Sequence, residues 1–276
     1  MSEAPLARQF PTALAFALRN QARNRFAWML LAGFVPAWYA LMAALIPHDP
    51  LDFRLFSTGA LLHVDGRELG LVTAGMNALT LIVGFAVFAA IRRALPLDRR
   101  LVFAGYRQSL LVAAKALATT VVGAAVALYG SLVLLAFWQP SPAGWLAVLV
   151  AFALMAIEYG ALGLLLGVLV RGDLEGFFLI IMGGLTDTFL QNPVGNPVAN
   201  KPLLQYFPSF GPMQLASGGA FGHTWLWVDV ALGAAWALGF AAVGLVVFQV
   251  RTRSRRPASA GGDGGTRSAS RLTSAA

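Results

Sequence analysis

The sequence predicts an all-α, polytopic membrane protein with six transmembrane helices. Hydrophobic residues make up 58% of the chain and charged residues only 12%, whereas a soluble domain usually has about 25% charged residues. The charges are clustered, which leaves several runs of about twenty apolar residues, the length that crosses a bilayer. Basic residues flank these runs, so the net charge of +8 reflects membrane topology and does not indicate nucleic-acid binding.

The segment at 92–107 orients the chain. It reads R-R-A-L-P-L-D-R-R-L-V-F-A-G-Y-R, with five arginines and one acid. Such a loop is hard to move across a membrane, so it marks the cytoplasmic side. With six spans both termini are then cytoplasmic, and inside segments hold 16 lysines and arginines against three in outer loops. We therefore expect a protein of the cytoplasmic (inner) membrane.

Residues 1–26 are predicted to form a cytoplasmic N-terminus with an interfacial amphipathic helix. The helix is expected to begin at Thr12, a residue suited to an N-cap, just after Pro11. Its polar face and end carry the basic residues Arg19, Arg23 and Arg25. A positively charged anchor before the first span explains these arginines as well as a docking role does.

The transmembrane domain is predicted at 27–250. Its six spans are expected at 27–46, 71–91, 109–137, 144–170, 176–190 and 225–250. The mildly acidic segment at 47–70 is interpreted as an outer loop. Gly163 and Gly167 form a GxxxG pair, which lets a neighbouring helix approach closely. The tail at 251–276, rich in Ser, Gly, Ala and Arg, is predicted to be disordered.

The fifth predicted span, at 176–190, is unusually short. Its 15 residues give only about 22 Å of helix, less than the bilayer core. The following segment at 191–212 holds five prolines and three asparagines. We interpret it as an outer re-entrant segment, which is tolerated only where protein or water satisfies its backbone. The residues that mark it are Asn192, Pro193, Pro208 and Pro212.

Four charged residues fall within predicted spans: Lys115, Glu158, Asp187 and Asp229. An ionisable residue in a membrane is costly, and therefore a functional candidate. Glu158 and Lys115 are expected at similar depth, which predicts an ion pair between them. Asp187 and Asp229 lie toward the outer face, where water can reach them. Structural roles and roles on a substrate or proton path both remain open for the acids.

No catalytic or nucleotide-binding motif is present. The sequence at 195–202, G-N-P-V-A-N-K-P, lacks the second glycine and the Ser/Thr of a P-loop. There is no G-x-S-x-G elbow or H-E-x-x-H helix. The three histidines fall in outer loops, and with no cysteine we predict no metal site. If the protein uses ATP, another chain hydrolyses it.

Three sequence features and their order carry a family resemblance. They are R-R-L-V-F-A-G-Y-R at 99–107, D-T-F-L-Q-N-P at 187–193, and Y-F-P-S-F-G-P-M-Q-L-A at 206–216. Together with the basic N-terminal helix and the short fifth span, they make the chain similar to the membrane subunit of a type-2 ATP-binding cassette exporter. The resemblance extends to Gln249 and depends on order and spacing, not on a diagnostic motif.

The resemblance implies a homodimer or heterodimer of permease subunits in the lipid bilayer. Two cytosolic ATPase subunits would bind ATP and Mg²⁺, so this chain itself would hold no cofactor. The loop between spans two and three would be the coupling loop, with the N-terminal helix as a second contact and the outer segment at the exit. The coupling residues would be Arg99, Arg100, Gly105, Tyr106 and Arg107. Topology signalling alone explains the sign of the arginines equally well.

We therefore expect a permease that exports a hydrophobic or amphipathic compound, with a drug or antibiotic as the first expectation. One alternative is a proton-coupled secondary transporter that uses Glu158, Asp187 and Asp229. A second alternative is a membrane-embedded enzyme or scaffold.

Overall fold

The computed structural model describes residues 6–196 and 202–252. In these residues the chain forms eight α-helices, one short 3-10 helix and one β-hairpin. The elements are α1 (Leu6–Ala22), α2 (Arg25–Leu45), β1 (Pro50–Arg54), β2 (Leu61–Asp65), α3 (Gly66–Phe103), α4 (Gln108–Leu134), α5 (Pro142–Leu169), α6 (Asp173–Gln191), the 3-10 helix (Pro202–Tyr206), α7 (Phe210–Phe221) and α8 (Trp227–Thr252). The predicted disordered tail lies outside the described residues beyond Thr252.

Five helices in the described part of the chain are long and apolar enough to cross a membrane: α2, α3, α4, α5 and α8. These helices indicate a membrane-embedded protein. The fifth predicted span corresponds to α6, whose 19 residues make about 28 Å of helix. It is not among the five, and it carries the acids Asp173, Glu175 and Asp187.

Helix α5 lies at the centre of the bundle and packs against α3, α4, α7 and α8. Its glycines make the contact with α3 close. A Cβ at Gly163 would lie 2.5 Å from the carbonyl oxygen of Gly84, and one at Gly167 would lie 2.9 Å from Cβ of Ile91. The close approach predicted from the GxxxG pair is confirmed, and the neighbour is α3.

The prediction that the second span ends at residue 91 and is followed by a loop is wrong, because α3 does not end there. It continues through Pro96 for 38 residues in all, about 57 Å at 1.5 Å per residue. At the start of the continuation, Arg92 donates from Nε to Asp173 Oδ1 at 2.9 Å and from Nη1 to the Val170 carbonyl at 2.9 Å. Since the bilayer core is about 30 Å thick, the C-terminal turns of α3 extend beyond it.

The segment at 47–70 contains an antiparallel hairpin, where a loop was predicted. Its apolar residues alternate and face inward; Phe53, Leu55, Leu62 and Val64 are buried. The tip reaches two other helices, since the Phe56 amide donates to Gln214 Oε1 at 2.9 Å and Ser57 Oγ donates to Asp229 Oδ1 at 2.8 Å. The fold is thus helical with a small hairpin that covers parts of α7 and α8.

Helix α7 follows the proline-rich segment and is enclosed by protein. Its 12 residues make about 18 Å of helix, too short to cross the core. Every residue from Phe210 to Ala220 is buried, mainly against α5 and α8. Neighbouring helices therefore enclose its backbone. Its placement as an outer re-entrant element stays a prediction.

Helix α1 begins earlier than predicted, at Leu6 instead of Thr12, so that Pro11 lies inside it. It packs mainly on α4. Helix α1 ends before Asn24, whose Oδ1 accepts the Ala27 amide at 3.4 Å and caps α2. The N-terminal helix therefore lies against the bundle at the end where α3 meets α4.

Candidate functional site

The arginine-rich end is the surface formed by Arg99, Arg100, Phe103, Gly105 and Arg107. The three arginines are exposed, and the Phe103 side chain is 72% exposed. Gly105 has φ +91°, a conformation that favours glycine, and it turns the chain from α3 into α4. An exposed aromatic ring among exposed guanidinium groups is a surface suited to a protein partner.

Tyr106 connects the arginine-rich end to α1. Its hydroxyl donates to the Gln9 carbonyl, and its amide donates to the Leu101 carbonyl at 2.9 Å. The structure thus joins the arginine-rich end to the N-terminal part of α1, with Tyr106 partly buried between α1 and the turn. The predicted contact residues Arg19, Arg23 and Arg25 are exposed but begin about 15 Å further along the helix from Gln9. Arg19 and Arg23 lie beside Arg93, so the structure does not bring them against residues 99–107. Phe103 was not among the predicted site residues.

The predicted ion pair between Lys115 and Glu158 is wrong. Lys115 Nζ forms an ion pair with Asp98 of α3, a residue that is only 2% exposed. The prediction failed because it ended the second span at residue 91 and placed Asp98 in a loop. The continued helix instead sets Asp98 beside the first turns of α4.

We expect a double-mutant cycle to find strong coupling between Asp98 and Lys115. Removing one partner of a buried ion pair leaves an uncompensated charge and costs about 3–5 kcal/mol. Asp98→Asn and Lys115→Met should therefore each destabilise the protein, and the double variant should be less destabilised than the sum of the two. The measurement is thermal unfolding of the purified protein in detergent. The control cycle, Glu158→Gln with Lys115→Met, should be additive; additivity in the first cycle would contradict the ion pair.

A second group of polar side chains lies inside the bundle, and we refer to it as the buried polar cluster. Its members are Asn77, Tyr159, Asp187, Thr188 and Ser209. Asp187 accepts from Tyr159 Oη at 2.7 Å, from Ser209 Oγ at 2.6 Å and from the Ser209 amide at 3.0 Å. Asn77 Nδ2 donates to Thr188 Oγ1 at 2.9 Å. The cluster thereby joins α3, α5, α6 and the start of α7.

The acids occupy three different environments. Asp187 is only 4% exposed, in contrast to the water-accessible position that its outer location suggested. Asp229 is fully buried and bonded to Ser57 of the hairpin tip. Glu158 is fully buried, and neither of its carboxyl oxygens has a hydrogen-bond partner among the described residues. A Cβ at Gly233 of α8 would lie 2.8 Å from Glu158 Oε1, so the carboxyl group lies against the backbone of α8 at a glycine.

The predicted outer residues border the buried polar cluster. Asn192 Oδ1 accepts the Val194 amide at 2.9 Å across the turn that contains Pro193. Pro208 immediately precedes Ser209, and Pro212 lies in the first turn of α7. The sequence analysis did not identify Tyr159 and Ser209 as hydrogen-bond donors to Asp187. The position of Ser209 directly before a helix, where serine is preferred as a cap, was the available signal.

Among residues 6–196 and 202–252 no group of three or more His, Asp or Glu side chains is placed to hold a metal ion. No known protein-family model matches the chain, and no curated protein matches it. The resemblance to type-2 exporters therefore stays a prediction, and any functional proposal depends on the residues described above.

Proposed function

We propose that this chain is the permease subunit of an ATP-binding cassette exporter, which moves a hydrophobic or amphipathic compound out of the cell. The observation that carries the proposal is the arginine-rich end, an exposed basic and aromatic surface at the tip of a helix that is long enough to cross the membrane. An arginine fork pairs well with carboxylates, and an exposed aromatic ring is a typical interface anchor. A cytosolic ATPase with an acidic, partly apolar cleft would fit this surface.

The proposal includes a six-span topology with both termini in the cytoplasm. In it α6 is the fifth span and α7 is a re-entrant helix on the outer side. The energy source is a separate subunit that binds ATP and Mg²⁺, since this sequence has no P-loop. A second permease copy completes the transport pathway. One face of α6 supports this pairing, because it exposes the apolar side chains Leu174, Phe178, Met182, Leu185 and Phe189.

The test is co-purification of the tagged full-length chain from its native membrane after gentle extraction, followed by an ATPase assay. We expect an ATP-hydrolysing partner with the wild type and at least a tenfold lower yield of it with Arg99, Arg100 and Arg107 all changed to Ala. Phe103→Ala should also weaken recovery, whereas Trp227→Ala, which removes an equally exposed ring from α8, should not. A partner that the triple variant retains would exclude the arginine-rich end as its docking surface. Absence of any ATPase with the wild type would overturn the proposal.

A second candidate function is a proton-coupled secondary transporter. Glu158 favours it, because its fully buried carboxyl group has no hydrogen-bond partner in the part of the chain that the structure describes, and an ionisable group buried in a membrane protein is a candidate proton carrier. In that case the purified chain in proteoliposomes would move its substrate in response to a proton gradient without nucleotide, and Glu158→Gln would abolish the movement. Turnover of a substrate by the purified chain would instead indicate a membrane-embedded enzyme.

A further inference from the structure

An apolar cleft of about 530 Å³ lies between α2, α3 and α6. Its walls include Leu30, Ile82, Phe85, Ala89, Phe177 and Ile181. Its size is within the range of about 300–1,000 Å³ that is typical of ligand pockets. Because α2 and α3 are candidate membrane-crossing helices, the cleft is placed to receive an apolar chain from the bilayer.

Arg93 is the charged residue at one end of this cleft. Its Nε donates to the Ala89 carbonyl at 3.1 Å, which holds the side chain along the cleft wall. Arg93 also lines a neighbouring depression of about 620 Å³, whose other basic residues are Arg19 of α1 and Arg23, which directly follows α1. The apolar cleft and the basic depression therefore meet at Arg93.

The three arginines of the depression have no acidic partner in the part of the chain that the structure describes. The four ion pairs found there involve other cations. The Arg23 amide donates to the Arg19 carbonyl at 3.0 Å, so the two residues are one helical turn apart and lie on the same side. Three like charges around one depression repel one another, and an anion between them would remove this repulsion. Among residues 6–196 and 202–252 no Asp or Glu lines the depression.

We propose that this site binds one anionic glycerophospholipid from the leaflet at the arginine-rich end of the protein. The phosphate lies among Arg19, Arg23 and Arg93, and an acyl chain occupies the apolar cleft. Basic pockets between membrane helices recognise anionic headgroups in this manner, and arginine forks bind phosphate oxygens in pairs. A choline headgroup would bring a further cation to the arginines, so phosphatidylcholine is disfavoured. This site goes beyond the proposed export function and does not depend on an ATPase partner.

The test uses the purified full-length chain, delipidated in detergent and titrated with phosphatidylglycerol or phosphatidylcholine while bound lipid is counted by native mass spectrometry. We expect phosphatidylglycerol to bind more tightly than phosphatidylcholine. Changing Arg19, Arg23 and Arg93 to Gln should weaken it by on the order of a hundredfold, since each basic residue near an anionic lipid contributes about fivefold. The control removes the same charge from the same end, by changing Arg99, Arg100 and Arg107 to Gln, and should alter binding less than threefold.

Two further measurements separate a lipid from a simple phosphate ion. Ala89→Phe narrows the cleft and should weaken phosphatidylglycerol binding at least tenfold while all three arginines remain. Inorganic phosphate should compete only at far higher concentration. Equal binding of the two lipids, equal loss in both arginine variants, no effect of Ala89→Phe, or inorganic phosphate that competes as well as lipid would each overturn the proposal.

Discussion

Replacement of Asp187 by Ala is expected to destabilise the protein by about 3 kcal/mol or more. The change removes the acceptor for Tyr159 Oη and for both donors of Ser209. These donors are buried, and the Ser209 amide would be left without a partner, which costs about 1–3 kcal/mol. The two hydroxyls would exchange a bond to a carboxylate for a longer one to a main-chain carbonyl, that of Gly183 for Tyr159 and that of residue 187 for Ser209. Because the three bonds join α5, α6 and α7, the loss should also loosen the start of α7. The measurements are thermal unfolding in detergent and the rate of proteolysis within residues 202–212.

Asp187→Asn is the informative comparison. The amide keeps one acceptor oxygen, so it should retain part of the hydrogen bonding and lose less stability than Asp187→Ala. Asp173→Ala on the same helix is the control, because the Asp173 side chain is 68% exposed and exposed ion pairs contribute little. Equal stability of the Asp187→Ala and Asp173→Ala variants would show that Asp187 does not join these helices.

Gly163→Ala is expected to destabilise the protein by about 2–3 kcal/mol, even though alanine is the better helix former. The added methyl group would lie 2.5 Å from the carbonyl oxygen of Gly84 and 3.3 Å from the amide nitrogen of Phe88. Both are backbone atoms, so α3 and α5 would have to separate. Overpacking of this kind costs typically 1–3 kcal/mol. Thermal unfolding in detergent measures the effect.

Gly239→Ala is the matched control, since it makes the same substitution within the helix α8. Nothing lies within 4 Å of a Cβ at Gly239. The control should therefore leave stability unchanged or raise it by up to about 1 kcal/mol, the difference in helix propensity. The two variants are expected to change stability in opposite directions, and a stable Gly163→Ala variant would contradict the close packing of α3 on α5.

The helices of the bundle could be predicted from apolar run length, because burial in lipid or protein requires a continuous apolar stretch. The close contact at Gly163 could be predicted for the same kind of local reason, since small residues one turn apart leave room for a neighbour. The hairpin at 50–65 also had a signal that was overlooked. Phe53 and Leu55 alternate with polar residues before a Ser-Thr-Gly turn, and Leu62 and Val64 alternate after it, a pattern typical of paired strands.

Contacts between distant segments could not be predicted in this way. The partner of Lys115 depends on how far α3 continues, and proline and arginine after residue 91 favoured a helix end. In the structure the helix continues through Pro96, and Arg92 at the start of this continuation is bonded to the α5–α6 turn, a contact that no local pattern records. The residues that supply hydroxyl groups to Asp187, Tyr159 and Ser209, are likewise isolated polar residues in apolar or loop sequence. Only the packing of α5, α6 and α7 brings them together.

The unbroken course of α3 has a mechanical consequence. Gly84, whose carbonyl oxygen lies against Gly163 of α5, is 18 residues from Gly66 and 19 from Phe103, so each arm is about 27–29 Å long. Most residues from Gly66 to Ile91 are buried in the bundle, whereas the second arm contains Pro96. Proline removes a helix hydrogen bond and is where a helix bends most easily. A force applied at the arginine-rich end would therefore bend α3 near Pro96 before it moved the buried length of the helix.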